Sequence, residues 1–158
     1  MSQQPSPTTP LNIPIQRLSH AEDLPLPAAQ SEHAAGLDLC AAIPAETPIV
    51  LQPGEINLVP TGFAIAVPVG YEAQVRPRSG LATKHGISMP NTPGTIDADY
   101  RGEIRVPLIN LGRQPVPITR GMRIAQMLIK PVPPVRLVET DTLPPTARGT
   151  AGFGSTGQ

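Results

Sequence analysis

The chain has 158 residues, of which 22 are proline, and its twelve basic side chains balance twelve acidic ones. This length predicts one domain with a full hydrophobic core. The zero net charge indicates neither the broad basic surface of a nucleic-acid-binding protein nor the polybasic patch of a membrane-surface protein. Because Cys40 is the single cysteine, the sequence excludes an intramolecular disulfide framework and a cysteine-based zinc site. The sequence has no apolar run of membrane length and no start that resembles a signal peptide, so we expect a cytoplasmic protein.

The chain divides into three parts by composition. Residues 1–22 hold four prolines among polar residues, which predicts a flexible arm. Residues 23–137 alternate short β-compatible segments with proline and glycine, which predicts an all-β sandwich or barrel of roughly nine to eleven strands, with one helical turn at Ser79–Lys84. Residues 138–158 are too rich in glycine and proline to fold alone. The candidate strands are Pro48–Leu51, Ile56–Val59, Phe63–Val67, Glu72–Arg76, Ile104–Asn110, Val116–Thr119, Ile124–Ile129 and Val135–Val138.

The first segment with unusual chemistry is Ala34–Cys40, where Asp38 stands between two leucines. An aspartate in a strand is disfavoured, and its burial is costly unless it is paired or hydrated. Two interpretations stay open: a structural aspartate bonded to nearby backbone, or a carboxylate that holds a water bound to Mg²⁺.

The second segment is Arg76-Pro-Arg-Ser-Gly-Leu-Ala82, in which Arg78, Ser79 and Gly80 open the predicted helical turn. Free N–H groups at such a turn attract phosphate, and an arginine adds a two-pronged donor. The alternative is an ordinary serine cap beside a surface arginine. The charge distribution favours an anion site, because only one basic residue precedes Arg76 and eleven basic residues run from Arg76 onward.

The third segment, residues 91–104, predicts a hairpin whose tip is rich in backbone polar groups, with Pro93 and Gly94 as turn residues. Main-chain N–H and C=O groups of such a hairpin can read a planar base, and the Asn91 amide offers both a donor and an acceptor. Asp97 is the best general-base candidate in the chain. The Tyr100 ring is expected to pack on a sugar and to exclude a 2′-hydroxyl.

The last two segments are a strand and the tail. Gln126 is polar inside the apolar run Ile124–Ile129, so it bonds either a structural partner or a ligand. The tail matches G-x-G-x-x-G at 152–157, but one residue follows it, which excludes a dinucleotide fold. Glycine N–H groups with Arg148, Ser155 and Thr156 suit polyphosphate oxygens, and Phe153 can cover a base. A disordered tail is the alternative.

Together the five segments resemble, in order, the five motifs of the trimeric dUTPases: AGLDL, RPRSGLA, NTPGTIDADYRGE, GMRIAQM and RGTAGFGSTG, over residues 34–157. The resemblance implies a jelly-roll-like β fold, a homotrimer with shared active sites, and Mg²⁺-dependent hydrolysis of dUTP to dUMP and pyrophosphate. That reaction keeps uracil out of DNA and supplies dUMP for dTMP synthesis. No nucleic-acid or membrane partner is implied.

The resemblance also assigns residue roles. Asp97 is similar to the carboxylate that activates the attacking water, and Asp38 to the aspartate that holds a metal-bound water. Two departures from the family pattern are visible: Ala151 stands where the tail usually has glycine, and Leu37 where an aromatic residue is frequent. The positions that the resemblance assigns to substrate binding are Arg78, Ser79, Gly80, Asn91, Gly94, Thr95, Ile96, Asp97, Tyr100, Arg105, Gln126, Arg148, Phe153, Gly154, Ser155 and Thr156.

Two other functions stay open. A dCTP deaminase shares the fold family, but such enzymes generally carry a glutamate at the position of Asp97 and lack the Phe-Gly-Ser-Thr tail. A non-catalytic protein that senses dUTP would use the same pocket without turnover. The presence of Asp38, Asp97 and Arg148 favours the catalytic interpretation.

Overall fold

The structure, a computed structural model, describes residues 10–152 and contains eleven β-strands and one α-helix within that range. The all-β fold predicted from the sequence is therefore confirmed, and the predicted helical turn is α1, Ser79–His85. The strands are β1 Ile15–Arg17, β2 Leu37–Cys40, β3 Ile49–Leu51, β4 Ile56–Pro60, β5 Phe63–Ile65, β6 Tyr71–Pro77, β7 Ile87–Ser88, β8 Gly94–Ile96, β9 Arg105–Asn110, β10 Val116–Ile118 and β11 Arg123–Pro131.

The strands form small antiparallel sheets whose neighbours are distant in sequence. One sheet has the order β2-β11-β6-β8 and another the order β4-β9-β7, while β1 pairs with β5 and β10 with β3. The nine-residue β11 pairs with β6 from Ala125↔Pro77 to Pro131↔Tyr71. This non-local pairing makes the fold jelly-roll-like.

The period-two alternation of apolar residues decides which side of each strand meets the core. In β9, Val106, Leu108 and Asn110 are buried, and the residues between them lie closer to solvent. Asn110 is fully buried, and its amide group donates to the Leu51 and Gln114 carbonyl oxygens, each at 2.8 Å. Its side-chain oxygen accepts the Gly112 N–H at 2.9 Å, so both polar ends of this buried amide are satisfied.

The predicted flexible arm 1–22 needs a correction over its described part. Residues 15–17 form β1, which pairs with β5, and Ser19–Ala21 form a 3-10 turn whose Ala21 is fully buried. The Leu18 N–H donates to the Gly62 carbonyl oxygen at 2.8 Å. Proline content indicated mobility, but these backbone groups find partners on a neighbouring strand and turn.

Two further predictions of local structure differ from the structure. Val135–Val138 is not a strand, because no strand among residues 10–152 pairs with it and its valines and leucine are exposed. The predicted hairpin at 91–104 is not a two-stranded ladder either: β8 pairs with β6, whereas β9 pairs with β4 and β7. Within residues 10–152, no helix has the length and apolar character needed to cross a membrane.

Candidate active site

A cavity of about 310 Å³ opens between β8 and β9, at the place where the chain passes from one sheet to another. Seven of the residues predicted to bind substrate line it. The loop between the two strands also contributes Glu103 and Ile104, and apolar walls come from β4, β6 and β9. The predicted residues in its lining are Asn91, Gly94, Thr95, Ile96, Asp97, Tyr100 and Arg105, and the others are Leu58, Val75, Met89, Glu103, Ile104 and Pro107.

The position of Asp97 follows from the register of β8 against β6. Ala73 pairs with Ile96 and Val75 with Gly94, so Gly94 and Ile96 are buried while Thr95 and Asp97 face outward. Asp97 is exposed at the rim of the cavity, and its carboxylate takes part in none of the ion pairs formed within residues 10–152. A carboxylate with open lone pairs can accept a proton from a bound water.

Tyr100 stands on the far side of the same loop and is held by its own turn. Its N–H donates to the Asp97 carbonyl oxygen at 3.2 Å, and its hydroxyl donates to the Glu103 carbonyl oxygen at 3.0 Å. Gly102 leaves room for the ring, because a Cβ there would lie 2.4 Å from the tyrosine oxygen. The glycine of the Tyr-Arg-Gly segment is therefore a steric requirement of this ring position.

Glu103 is a residue of the cavity that the sequence reading did not single out. Its side chain is 9% exposed, and its Oε1 accepts the His20 Nε2 at 2.7 Å and the Gly62 N–H at 2.8 Å. Its Oε2 faces the Arg105 Nε at 3.1 Å. Burial alone would raise the pKa of Glu103, but the hydrogen bonds from His20, Gly62 and Arg105 outweigh burial and hold this pKa below its ordinary value of 4.5.

A second cavity, of about 300 Å³, lies where β6 ends and α1 begins. Arg78 occupies the N-cap position in an extended conformation and makes no side-chain capping bond, so the serine cap considered from the sequence is not formed. Ser79 and Gly80 are exposed at the start of the helix. The lining residues are Gln30, Ala34, Ala35, Gly36, Asp38, Arg78, Ser79, Gly80 and Gln126.

Asp38 is the acidic centre of this second cavity. Its Oδ1 lies 3.2 Å from the Arg78 Nε, and its Oδ2 lies 3.3 Å from the Arg123 Nη1. The carboxylate is thus paired with two guanidinium groups, not with backbone as one interpretation held. Arg123 is a second residue that the sequence reading missed. Beside it, burial and then the Asp38 charge raise the pKa of the Cys40 thiol.

The Gln126 side chain has a structural partner and also borders a possible ligand site, so it fits both interpretations of its role. Its amide nitrogen donates to the Pro77 carbonyl oxygen at 3.1 Å, which is a structural partner, and its side chain also lines the cavity of Asp38. Gly36 permits this close approach, since a Cβ there would lie 2.6 Å from the glutamine oxygen.

The two cavities share no lining residue, so one chain keeps the Asp97 group and the Arg78 group apart. Arg148 lines neither cavity, and its Nε donates to the Ala151 carbonyl oxygen at 2.8 Å. Phe153, Gly154, Ser155 and Thr156 lie outside the described residues. Within residues 10–152, no three His, Cys, Asp or Glu side chains stand close enough to hold a metal ion by themselves.

Comparison with known proteins gives a consistent result. The sequence profile of the dUTPase family matches residues 22–157. The deoxyuridine 5′-triphosphate nucleotidohydrolase of Beijerinckia indica subsp. indica is 60% identical over 151 residues, which are 96% of this chain and 94% of the relative.

Solved structures agree at the level of the fold. A Staphylococcus bacteriophage 80alpha dUTPase mutant with dUpNHpp superposes with a TM-score of 0.79 at 23% identity, covering 93% of this chain and 99% of that chain. A mutant dUTPase of Staphylococcus aureus phage phi11, described for the coordination of a structural Mg(II) ion, superposes with a TM-score of 0.73 at 23% identity, covering 84% of this chain and 98% of that chain.

Residues of four of the five motifs thus line two polar cavities of a jelly-roll-like fold, and one profile spans the whole range in which all five motifs occur. The 60% identical relative, a deoxyuridine 5′-triphosphate nucleotidohydrolase, matches over 94% of its own length. The chain belongs to the dUTPase family.

Proposed function

We propose that the chain hydrolyses dUTP to dUMP and pyrophosphate and that Asp97 is the general base. The observation that carries this proposal is the Asp97 carboxylate, which is exposed, lies outside every ion pair of residues 10–152 and borders a cavity that residues 94–97 help to line. Asp97 takes a proton from a water that attacks the α-phosphorus in line with the departing pyrophosphate. A positioned base of this kind contributes about 10²–10⁴-fold to the rate.

The β8–β9 cavity suits the base and the sugar. Asn91 and the backbone of Thr95 to Asp97 offer donors and acceptors to the edge of uracil, while Val75 and Met89 provide apolar walls. A polar pattern fitted to uracil mismatches cytosine, and a closely packed wall leaves no room for the methyl group of thymine. Tyr100 is the platform for deoxyribose.

The second cavity suits the triphosphate. Arg78 brings a guanidinium group, and the exposed start of α1 at Ser79 and Gly80 brings backbone N–H groups. Since the two cavities of one chain share no residue, we propose that the Arg78 cavity of one copy serves the Asp97 cavity of another in a homotrimer. Gln126 lines the Arg78 cavity, and Arg105 lines the Asp97 cavity. Arg148, Phe153, Gly154, Ser155 and Thr156 would close the site from the 138–158 tail, and 23–137 would be the core domain.

The residues fit a magnesium ion that arrives with the substrate. Asp38 is a single carboxylate whose two oxygens face Arg78 and Arg123, and within residues 10–152 it belongs to no cluster of His, Cys, Asp or Glu that could form an all-protein metal site. Mg²⁺ keeps several waters and is frequently held by substrate phosphates with one or two carboxylates, and Asp38 can accept such a water when Arg78 turns to the phosphates. When bound with the substrate, the ion would neutralise part of the negative charge of the triphosphate. Arg78, Ser79 and Arg148 stabilise the charge that develops on the reacting oxygens.

The proposed reaction is tested with purified protein, Mg²⁺ and four nucleotides in parallel: dUTP, dCTP, dTTP and UTP. We expect pyrophosphate and a nucleoside monophosphate from dUTP alone. Ammonia from dCTP would instead show a dCTP deaminase, and tight dUTP binding without pyrophosphate would show a sensing protein. The cytoplasmic location is tested by fractionation of source cells.

The shared site has its own test by complementation. Asp97→Asn and Arg78→Ala chains, each inactive alone, are co-expressed and purified as mixed oligomers. If sites are shared, part of the mixed sites join an intact Asp97 to an intact Arg78, and activity returns. If each chain carried a complete site, every site would retain one defect and the mixture would stay inactive.

A further inference from the structure

Glu103 lies at the junction of three segments that are distant in sequence. Its carboxylate accepts hydrogen bonds from His20 in the N-terminal segment and from the Gly62 N–H in the turn before β5, at 2.7 and 2.8 Å. Its other oxygen holds the Arg105 Nε at 3.1 Å, and its carbonyl oxygen holds the Tyr100 hydroxyl at 3.0 Å. Two of these four partners belong to the scaffold, and two line the β8–β9 cavity.

The scaffold side of this junction is firmly packed. A Cβ at Gly62, whose φ is +76°, would lie 2.1 Å from the Ala21 Cβ, so the turn and the N-terminal segment are in direct contact. Arg17 donates to the Ala21 and Leu24 carbonyl oxygens, and its guanidinium carbon lies 5.0 Å from the centre of the Phe63 ring. His20 therefore reaches Glu103 from a fixed base and not from a mobile arm.

The cavity side needs such a support. The Arg105 side chain is 56% exposed, and a long side chain with that freedom has many rotamers to lose when a ligand fixes it. The Glu103 carboxylate, 9% exposed, selects one of these orientations before a nucleotide binds.

We infer that Glu103 is a positioning residue: anchored by His20 and Gly62, its carboxylate pre-orients Arg105 for the nucleotide. The inference rests on the proposed function. It adds a contact from His20, which precedes residue 22, the first residue of the family match. Its contribution is to substrate affinity through Arg105.

The main test is Glu103→Gln, which keeps the size of the side chain and an acceptor for the Gly62 N–H but removes the charge that holds Arg105. We expect KM for dUTP to rise about three- to fivefold with kcat within about twofold of wild type, the size expected for a partly exposed charged pair. The dissociation constant of dUpNHpp from calorimetry should rise by the same factor. Glu55→Gln is the matched control, because that carboxylate accepts the Gln52 N–H at 2.8 Å and lines neither cavity.

A double-mutant cycle separates positioning from general stabilisation. In an Arg105→Met background, Glu103→Gln should change KM by less than about half of its effect in wild type, since its main partner is gone. His20→Ala, which removes an anchor with a 42% exposed side chain, should raise KM about twofold and keeps the test open if Glu103→Gln folds poorly. Unchanged KM and dUpNHpp affinity in both variants, or an undiminished effect without Arg105, would overturn the inference. If wild type fails to turn over dUTP, the proposed function fails, and the dUpNHpp affinities alone decide on Glu103.

Discussion

Replacing Gly102 by alanine tests whether the position of the Tyr100 ring matters for the substrate. A Cβ at residue 102 would lie 2.4, 2.6 and 3.0 Å from the oxygen, Cζ and Cε2 of Tyr100. Carbon atoms pack at about 3.5–4.0 Å, so the ring must move by about 1 Å. The backbone at this glycine lies outside the left-handed region, so the substitution acts on the tyrosine and not through backbone strain.

The expected effects on stability and on activity differ in size. Tyr100 is 46% exposed, and losing the hydrogen bond of its hydroxyl group costs about 1 kcal/mol in the free energy of unfolding. A displacement of about 1 Å at a binding platform can cost up to about 100-fold in rate, and we expect kcat/KM for dUTP to fall at least about tenfold. The preference for dUTP over UTP should fall as well, because the ring is the proposed wall against a 2′-hydroxyl.

Steady-state kinetics with dUTP and UTP, together with thermal unfolding, measure these effects. Tyr100→Phe is the matched variant, since it removes the hydroxyl bond to Glu103 and leaves the ring in place. It should keep the dUTP preference. Wild-type kcat/KM and wild-type discrimination in Gly102→Ala would refute the steric reasoning and the platform role of Tyr100 together.

Three further predictions concern catalysis, stability and pH. Asp97→Asn should retain dUpNHpp affinity, and its free energy of unfolding should stay within about 0.5 kcal/mol of wild type, because the exposed side chain forms no ion pair within residues 10–152. Its kcat for dUTP should nevertheless fall about 10²–10⁴-fold. Retained turnover would rule out the general-base role. Asn110→Ala leaves two carbonyl groups and one N–H without their partner in the core. Denaturant titration should therefore show that the free energy of unfolding falls by about 3 kcal/mol or more. A decrease below about 1 kcal/mol would contradict a stabilising role of these three hydrogen bonds. The folded-state pKa of Glu103 lies below 4.5, so its stabilising contribution is present above that pH and is lost as pH falls through the folded value. The unfolding midpoints of wild type and Glu103→Gln should therefore converge on acidification, and a difference that persists at low pH would argue against it.

Much of the fold could be predicted because the signals are local. Alternating apolar residues in segments such as Arg105–Asn110 predict strands, since successive side chains point to opposite faces. The helical turn at Ser79 was also predictable, because prolines confine helix to few places. Val135–Val138 has the same local character and is not a strand, because a strand needs a neighbour with free backbone groups, and no strand in the described part of the chain pairs with it.

The candidate site was predictable residue by residue but not in its arrangement. Asp97, Asn91 and Tyr100 could be selected from side-chain chemistry, and the structure places all three at one cavity. Glu103 and Arg123 could not, because a glutamate or an arginine beside a strand is ordinary in sequence. Their importance comes from partners 83 residues away for the Glu103–His20 bond and 85 residues away for the Arg123–Asp38 bond.

The sequence by itself determined the all-β class and the kinds of chemistry available: a carboxylate after a turn-rich segment, an arginine at a helix start and an aspartate between leucines. These are properties of single residues and short periods, which a chain carries in any conformation. The tertiary structure alone decided that β8 and β9 lie in different sheets, that residues 15–21 pack against the core, and that Asp97 and Arg78 line separate cavities. Such facts depend on which distant backbone groups pair with one another, and that choice is made by the whole chain when it buries its apolar surface.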